Sequence, residues 1–93
     1  MNEVTQEFID KFKLRIKLDG NDEDSNLKMI LENSISDLLI SCGPSYTIEE
    51  DKNFSELVME RSRYVYNDAV EFFDNNFINQ ITKLNLTSEE LTI

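Results

Sequence analysis

The sequence predicts an all-α fold: a small bundle of three main helices, completed by a short C-terminal helix or arm. Two observations carry that expectation. Only two glycines and one proline punctuate 93 residues, so the chain has few places to turn and its elements must be few and long. Its apolar residues also recur at intervals of three and four, which puts them on one side of a helix. A chain of this length is one domain with a modest core. The domain is expected to span residues 1–84, with 85–93 as a polar tail.

The first helix is expected over about Thr5 to Ile16. Phe8, Ile9, Phe12 and Ile16 share one face, and the Thr5 hydroxyl suits an N-cap. Lys17 to Asp22 reads as a turn in which Gly20 is free to take positive φ.

The second helix is expected from about Glu23 to Cys42. Asp22 is placed to cap it, and Glu23 and Asp24 fall in the first turn, where the helix dipole favours negative charge. Leu27, Ile30, Leu31, Ile35, Leu38, Leu39 and Cys42 form a one-sided apolar stripe. Gly43 suits the C-terminal cap and Pro44 prevents continuation. Residues 43–52 then form a loop.

The third helix is expected from about Phe54 to Asp74, with Asn53 and Glu56 spaced as a capping box. One stripe runs through Phe54, Leu57, Val58, Tyr64, Val65, Ala69, Phe72 and Phe73. A second row contains Met59, Tyr66 and Val70, with Arg63 among them. Two apolar faces fit either a helix packed on both sides, inside and across a subunit boundary, or incidental apolar residues at the surface. Arg61 and Asp68 sit within the main stripe; because buried charge is costly unless paired, Arg61 meets the neighbourhood of Asp68, another helix or another subunit, or both side chains reach water at the edge of the stripe. Phe77 to Leu84 fits either a short helix with Phe77, Ile81 and Leu84 facing inward or an extended arm.

The charge is unevenly placed. The chain has 19 acidic and 9 basic residues, a net charge of −10. In residues 1–20, Lys11, Lys13, Arg15 and Lys17 balance Glu3, Glu7, Asp10 and Asp19, so the excess belongs to residues 21–93. Such a surface does not suit ordinary nucleic-acid binding, which needs cations to displace counterions, nor an anionic membrane. Cys42 is the single cysteine, which excludes an internal disulfide and suits a reducing compartment. The N-terminus lacks the pattern of a secretory signal.

The chemistry expected of the chain is sparse. There is no histidine, so the commonest general base and zinc ligand is missing. Cys42 closes an apolar stripe and reads as a core residue. The acidic run from Asp19 to Asn26 does not fit a calcium loop, because the sixth and twelfth positions from Asp22 are Leu27 and Asn33. No catalytic, cofactor-binding or metal-binding residue is expected.

The order of landmarks resembles the small head–tail connector (adaptor) proteins of long-tailed bacteriophages. Phe12-Lys13-Leu14-Arg15-Ile16 is followed by the acidic turn Asp19-Gly20-Asn21-Asp22-Glu23-Asp24, a helix from Asn26-Leu27-Lys28-Met29-Ile30 to Cys42-Gly43, and Glu60-Arg61-Ser62-Arg63-Tyr64-Val65-Tyr66-Asn67-Asp68-Ala69. The resemblance covers about residues 5–84. Where the family often has small, apolar residues and a proline before its third helix, this chain has Asn53-Phe54-Ser55.

The resemblance implies a structural subunit of the virion, made in the host cytoplasm. Such subunits form a ring, commonly a dodecamer, below the portal protein and present a surface to a head-completion or tail-joining protein. DNA passes through without specific binding, and no membrane is involved. On this basis Met59, Arg61, Arg63, Tyr66 and Val70 are expected at the subunit interface. Asp22, Glu23, Asp24, Glu49, Glu50 and Asp51 are expected to face the channel, and Phe77, Ile81 and Leu84 to dock on the portal. The alternatives are an acidic DNA-mimic inhibitor and a small helical interaction module.

Overall fold

The computed structural model describes residues 2–91, and these form an all-α bundle. Helix α1 spans Gln6–Ile16, α2 Asp24–Cys42, α3 Lys52–Tyr66, α4 Phe73–Asn76 and α5 Ile78–Leu91, with a 3-10 turn at Val70–Phe72 before α4. The α2–α3 pair forms the centre, α1 crosses both, and α5 packs against both.

Helix α1 begins where its residues predict. Thr5 Oγ1 accepts from the Phe8 N–H at 3.2 Å and so satisfies one of the donors left free at a helix start. At the other end Lys17 is left-handed (φ 58°). The Leu18 N–H donates to Lys13 O at 3.0 Å and the Lys17 N–H to Leu14 O at 3.3 Å. That paired arrangement is a Schellman ending.

Helix α2 starts at Asp24 rather than Glu23. Asp22 is exposed and does not cap it; Glu23 occupies the cap position without a side-chain cap bond. The carboxylates of this turn are used to join helices instead. The predicted C-terminal cap is present: Gly43 has φ 138° and its N–H donates to Leu39 O at 3.1 Å.

Helix α3 is shorter at its end than the stripe predicts. It starts at Lys52, so Asn53 lies inside the helix and the Asn53/Glu56 capping box does not form; Asp51 is at the cap position. It stops at Tyr66 because Asp68 is left-handed (φ 55°). The Ala69 N–H donates to Tyr64 O at 2.8 Å and the Asp68 N–H to Val65 O at 3.1 Å, a second Schellman ending. Aspartate tolerates this conformation better than most side chains, so the helix stops without a glycine.

After the break, α4 and α5 return along α3. Phe73 stacks on Phe77 with ring centroids 4.9 Å apart, and both meet Tyr64 edge-on at 5.7 and 5.8 Å. The segment 77–84 is helical, and the helix continues to Leu91, past the expected boundary at residue 84. Residues 92 and 93 of the expected tail lie outside the described residues.

The core is shared by all the long helices. Phe12, Leu27, Leu31, Cys42, Phe54 and Val58 are fully buried. Burial pushes the Cys42 thiol up to about 11, which keeps it protonated near neutrality.

Where α2 meets α3 the contact includes two serines. Ser34 and Ser62 are fully buried, and the Ser62 hydroxyl donates to Ser34 Oγ at 2.9 Å. Arg61 Nη1 also donates to Ser34 Oγ at 3.1 Å. Ser34→Ala removes an acceptor from both and is expected to cost about 1–3 kcal/mol. Adding Ser62→Ala to it removes the orphaned hydroxyl and is expected to recover part of that loss. Urea unfolding of the two single variants and the double variant measures the coupling.

Candidate functional site

The acidic turn after α1 acts as a clamp. The Lys13 ammonium, nearly buried, forms an ion pair with Asp24 and donates to Asn21 Oδ1 at 2.7 Å. Gln6 Nε2 adds a bond to Asp24 Oδ2 at 3.0 Å. The bond from Lys13 holds the Asp24 carboxyl below its ordinary value. On the other side of the turn, the Tyr66 hydroxyl donates to Glu23 Oε2 at 3.0 Å. That bond to a carboxylate raises the Tyr66 phenol. The turn thus ties α2 to α1 through Asp24 and to α3 through Glu23.

Arginines form the second group of contacts. Arg15 spans two carboxylates of α3, reaching Glu56 and Glu60 at 2.8 Å each. Arg63 meets the second oxygen of Glu60 at 2.8 Å. Glu60 is held below its ordinary value first by the Arg63 bond and then by Arg15. Arg61 turns to α2, with Nε 3.1 Å from Asp37 Oδ2, while Asp68 is exposed at the helix end.

These bonds redefine the residues singled out for an interface. Met59 is only 6 % exposed and belongs to the chain's own core. Arg61, Arg63 and Tyr66 are half-buried and have partners in the same chain. Val70 alone of the set is exposed, at the 3-10 turn. Within the chain α3 packs against α1, α2 and α5.

The six acids are similarly divided. Asp22, Glu49 and Glu50 are exposed. Glu23 and Asp24 are engaged as described, and Asp51 Oδ2 accepts from the Thr47 N–H at 2.9 Å. Of the residues expected to dock on a portal, Ile81 is buried in the core, and Phe77 and Leu84 are packed against it.

Several large apolar residues are exposed, among them Phe72, which the sequence put in the main α3 stripe. Leu14 and Ile40 are 81 % and 85 % exposed, and Phe72 58 %. Val70 and Ile78 are also exposed. Leu14 lies on the outward side of α1, beside an open groove lined by Lys11, Ile48, Lys52 and Met59. The sequence carried a signal for Leu14, which falls outside the α1 stripe, but none for Phe72, whose exposure follows from the left-handed Asp68 that ends α3.

Among the described residues, no group of three or more His, Cys, Asp or Glu side chains is arranged to hold a metal. None of the described helices is long and apolar enough to cross a membrane.

The ion pairs set the acid limit of stability. Asp24 and Glu60 both have depressed folded values. The stability they contribute is present above their ordinary values of 3.8 and 4.5 and is lost as pH falls through the lower folded ones. Between pH 7 and the isoelectric point near 4.3, declining self-repulsion opposes that loss. Melting temperatures measured from pH 7 to 2.5 are expected to drop below about pH 4. A Lys13→Met variant is expected to fall less steeply there.

Comparison of the chain with protein-family models, with curated proteins and with solved structures found no match.

Proposed function

We propose that this chain is a structural assembly subunit without catalytic activity, and that its assembly is the head–tail connector ring of a tailed bacteriophage. The observation that carries the reading is the order of landmarks along the helices. The Phe12–Ile16 segment closes α1, the acidic turn joins α1 to α2, Cys42-Gly43 ends α2, and Glu60 to Tyr66 closes α3. That is the sequence of elements on which the resemblance to connector proteins rests.

Two further features support it. Large apolar side chains are exposed on different parts of the surface, at Leu14, Ile40 and Phe72, which suits a subunit with more than one neighbour. The net charge of −10 suits a wall past which DNA moves without adhering. A DNA mimic would need its carboxylates free and regularly spaced. Here Glu23, Asp24, Asp51 and Glu60 are engaged in bonds that hold the fold together.

In this role the chain joins copies of itself into a ring below the portal protein and offers the opposite face to a head-completion or tail-joining protein. Quantitative mass spectrometry of purified virions tests the assignment. The chain is expected at a fixed copy number commensurate with the portal. Its absence from tailed virions that contain the portal would refute the connector role.

A further inference from the structure

We propose that two parts of this surface are complementary and join one copy of the chain to the next. The first is the groove between α1 and α3. Its floor has Met59, its rim has the exposed Leu14, and Lys11 and Lys52 flank it. Its lining carries three cations, Lys11, Arg15 and Lys52, against the carboxylates of Glu49 and Glu56. This is a locally positive spot on a chain of net charge −10. None of the ion pairs among the described residues involves Lys11 or Lys52.

The second part is the knuckle that follows α3. Phe72 is 58 % exposed there, and Val70 and Ile78 are exposed on the same stretch of chain. Glu71 and Asp74 are exposed on the same segment and take part in none of those ion pairs. An exposed aromatic ring on a segment that carries two carboxylates is the counterpart of a groove lined by ammonium groups and by Leu14, Ile48 and Met59. The open volume of the groove, about 560 Å³, leaves room for a phenyl ring.

The occupant is a second copy because one chain carries both halves but cannot join them. The groove uses Lys52, Ser55, Glu56 and Met59 in the first turns of α3, and the knuckle begins beyond its last. A helix of 15 residues separates its ends by about 21 Å. The contact is therefore head-to-tail, and repetition of such a contact closes a ring or continues as a filament. Phe72 supplies the apolar anchor, and the charge pairs set the register. The inference deepens the assembly reading above and rests on it.

Charge exchange tests it. One variant carries Lys11→Glu and Lys52→Glu, the other Glu71→Lys and Asp74→Lys; circular dichroism first verifies that each is folded. Sedimentation velocity is then run at about 0.15 M salt, where a Debye length of about 8 Å screens the overall repulsion and spares close pairs. The unaltered chain is expected to self-associate as concentration rises. Each variant alone is expected to associate at least about tenfold more weakly, as is Phe72→Ser. An equal mixture of the two charge variants is expected to regain association, because each then meets its opposite. If the unaltered chain associates and the variants associate equally well, this contact is overturned while the assembly reading stands. If the unaltered chain remains a monomer up to millimolar concentration, the contact is likewise overturned, and binding to the portal decides the assembly reading separately.

Discussion

Phe54→Ala is expected to remove about 3–5 kcal/mol of stability. Phe54 is fully buried at the start of α3 and stacks on Tyr46 with ring centroids 5.6 Å apart. Tyr46 in turn donates from its hydroxyl to Leu84 O at 2.6 Å. Losing the ring therefore leaves a cavity and also frees the side chain that fastens α5. A small domain has about 5–15 kcal/mol in all, and for one of this size each kcal/mol moves the melting temperature by about 4–8 °C. A fall of at least about 12 °C is expected by circular dichroism. A fall below about 4 °C would mean that Phe54 is not central to the core. Phe54→Leu, which keeps most of the volume, is expected to lose less than half as much.

Gly43→Ala is expected to be nearly as damaging, for two separable reasons. Gly43 has φ 138° and ψ 144°, a region that is essentially reserved for glycine and costs other residues about 1–3 kcal/mol. A Cβ at this position would also lie 2.7 Å from Ser88 Cβ, and closer still to its Oγ. Overpacking of this kind costs about 1–3 kcal/mol more. The second contribution depends on α5 lying against α2, where Asn85 Nδ2 donates to Ser41 O at 3.0 Å. Combining Gly43→Ala with Ser88→Gly removes the clash and leaves the backbone strain. The double variant is expected to recover about half of the lost stability in chemical denaturation. No recovery would show that α5 does not pack against Gly43.

The first two helices were legible because periodicity and end signals agree there. Phe8, Phe12, Leu27, Leu31 and Leu38 recur at helical spacing and are buried, and Thr5 and Gly43 sit where an N-cap and a C-cap are wanted. The end of α3 was not legible, because its stop signal is Asp68 in a left-handed conformation rather than a glycine or proline. Phe72 and Phe73 follow that break, so one stays exposed and the other is buried. The length of α5 was hidden for a different reason. Its second half is polar, and it is held by bonds from Tyr46 and Asn85 and by the closeness of Ser88 to Gly43. Such tertiary contacts leave no period in a sequence.

The candidate surfaces show the same division. The second apolar row on α3 was visible in the residues, but its use was not. Met59 is filled from within the chain, and Tyr66 and Arg63 satisfy Glu23 and Glu60. Asp22 has the spacing of a cap and is exposed, while its neighbours Glu23 and Asp24 bind other helices. Sequence spacing cannot separate a carboxylate that caps its own helix from one that reaches a tyrosine or lysine elsewhere. Exposed groups such as Leu14 and Phe72, and Lys11 and Lys52, which enter none of the ion pairs among the described residues, are the ones on which the proposed contact between copies is built.

Whether the chain is a connector subunit is decided by electron microscopy of the isolated portal protein of the same phage mixed with an excess of this chain. A closed ring of density is expected at one end of the portal, with every added subunit contacting two neighbours. Portal particles that are unchanged by the chain, with the chain recovered as a free monomer, would contradict the connector role.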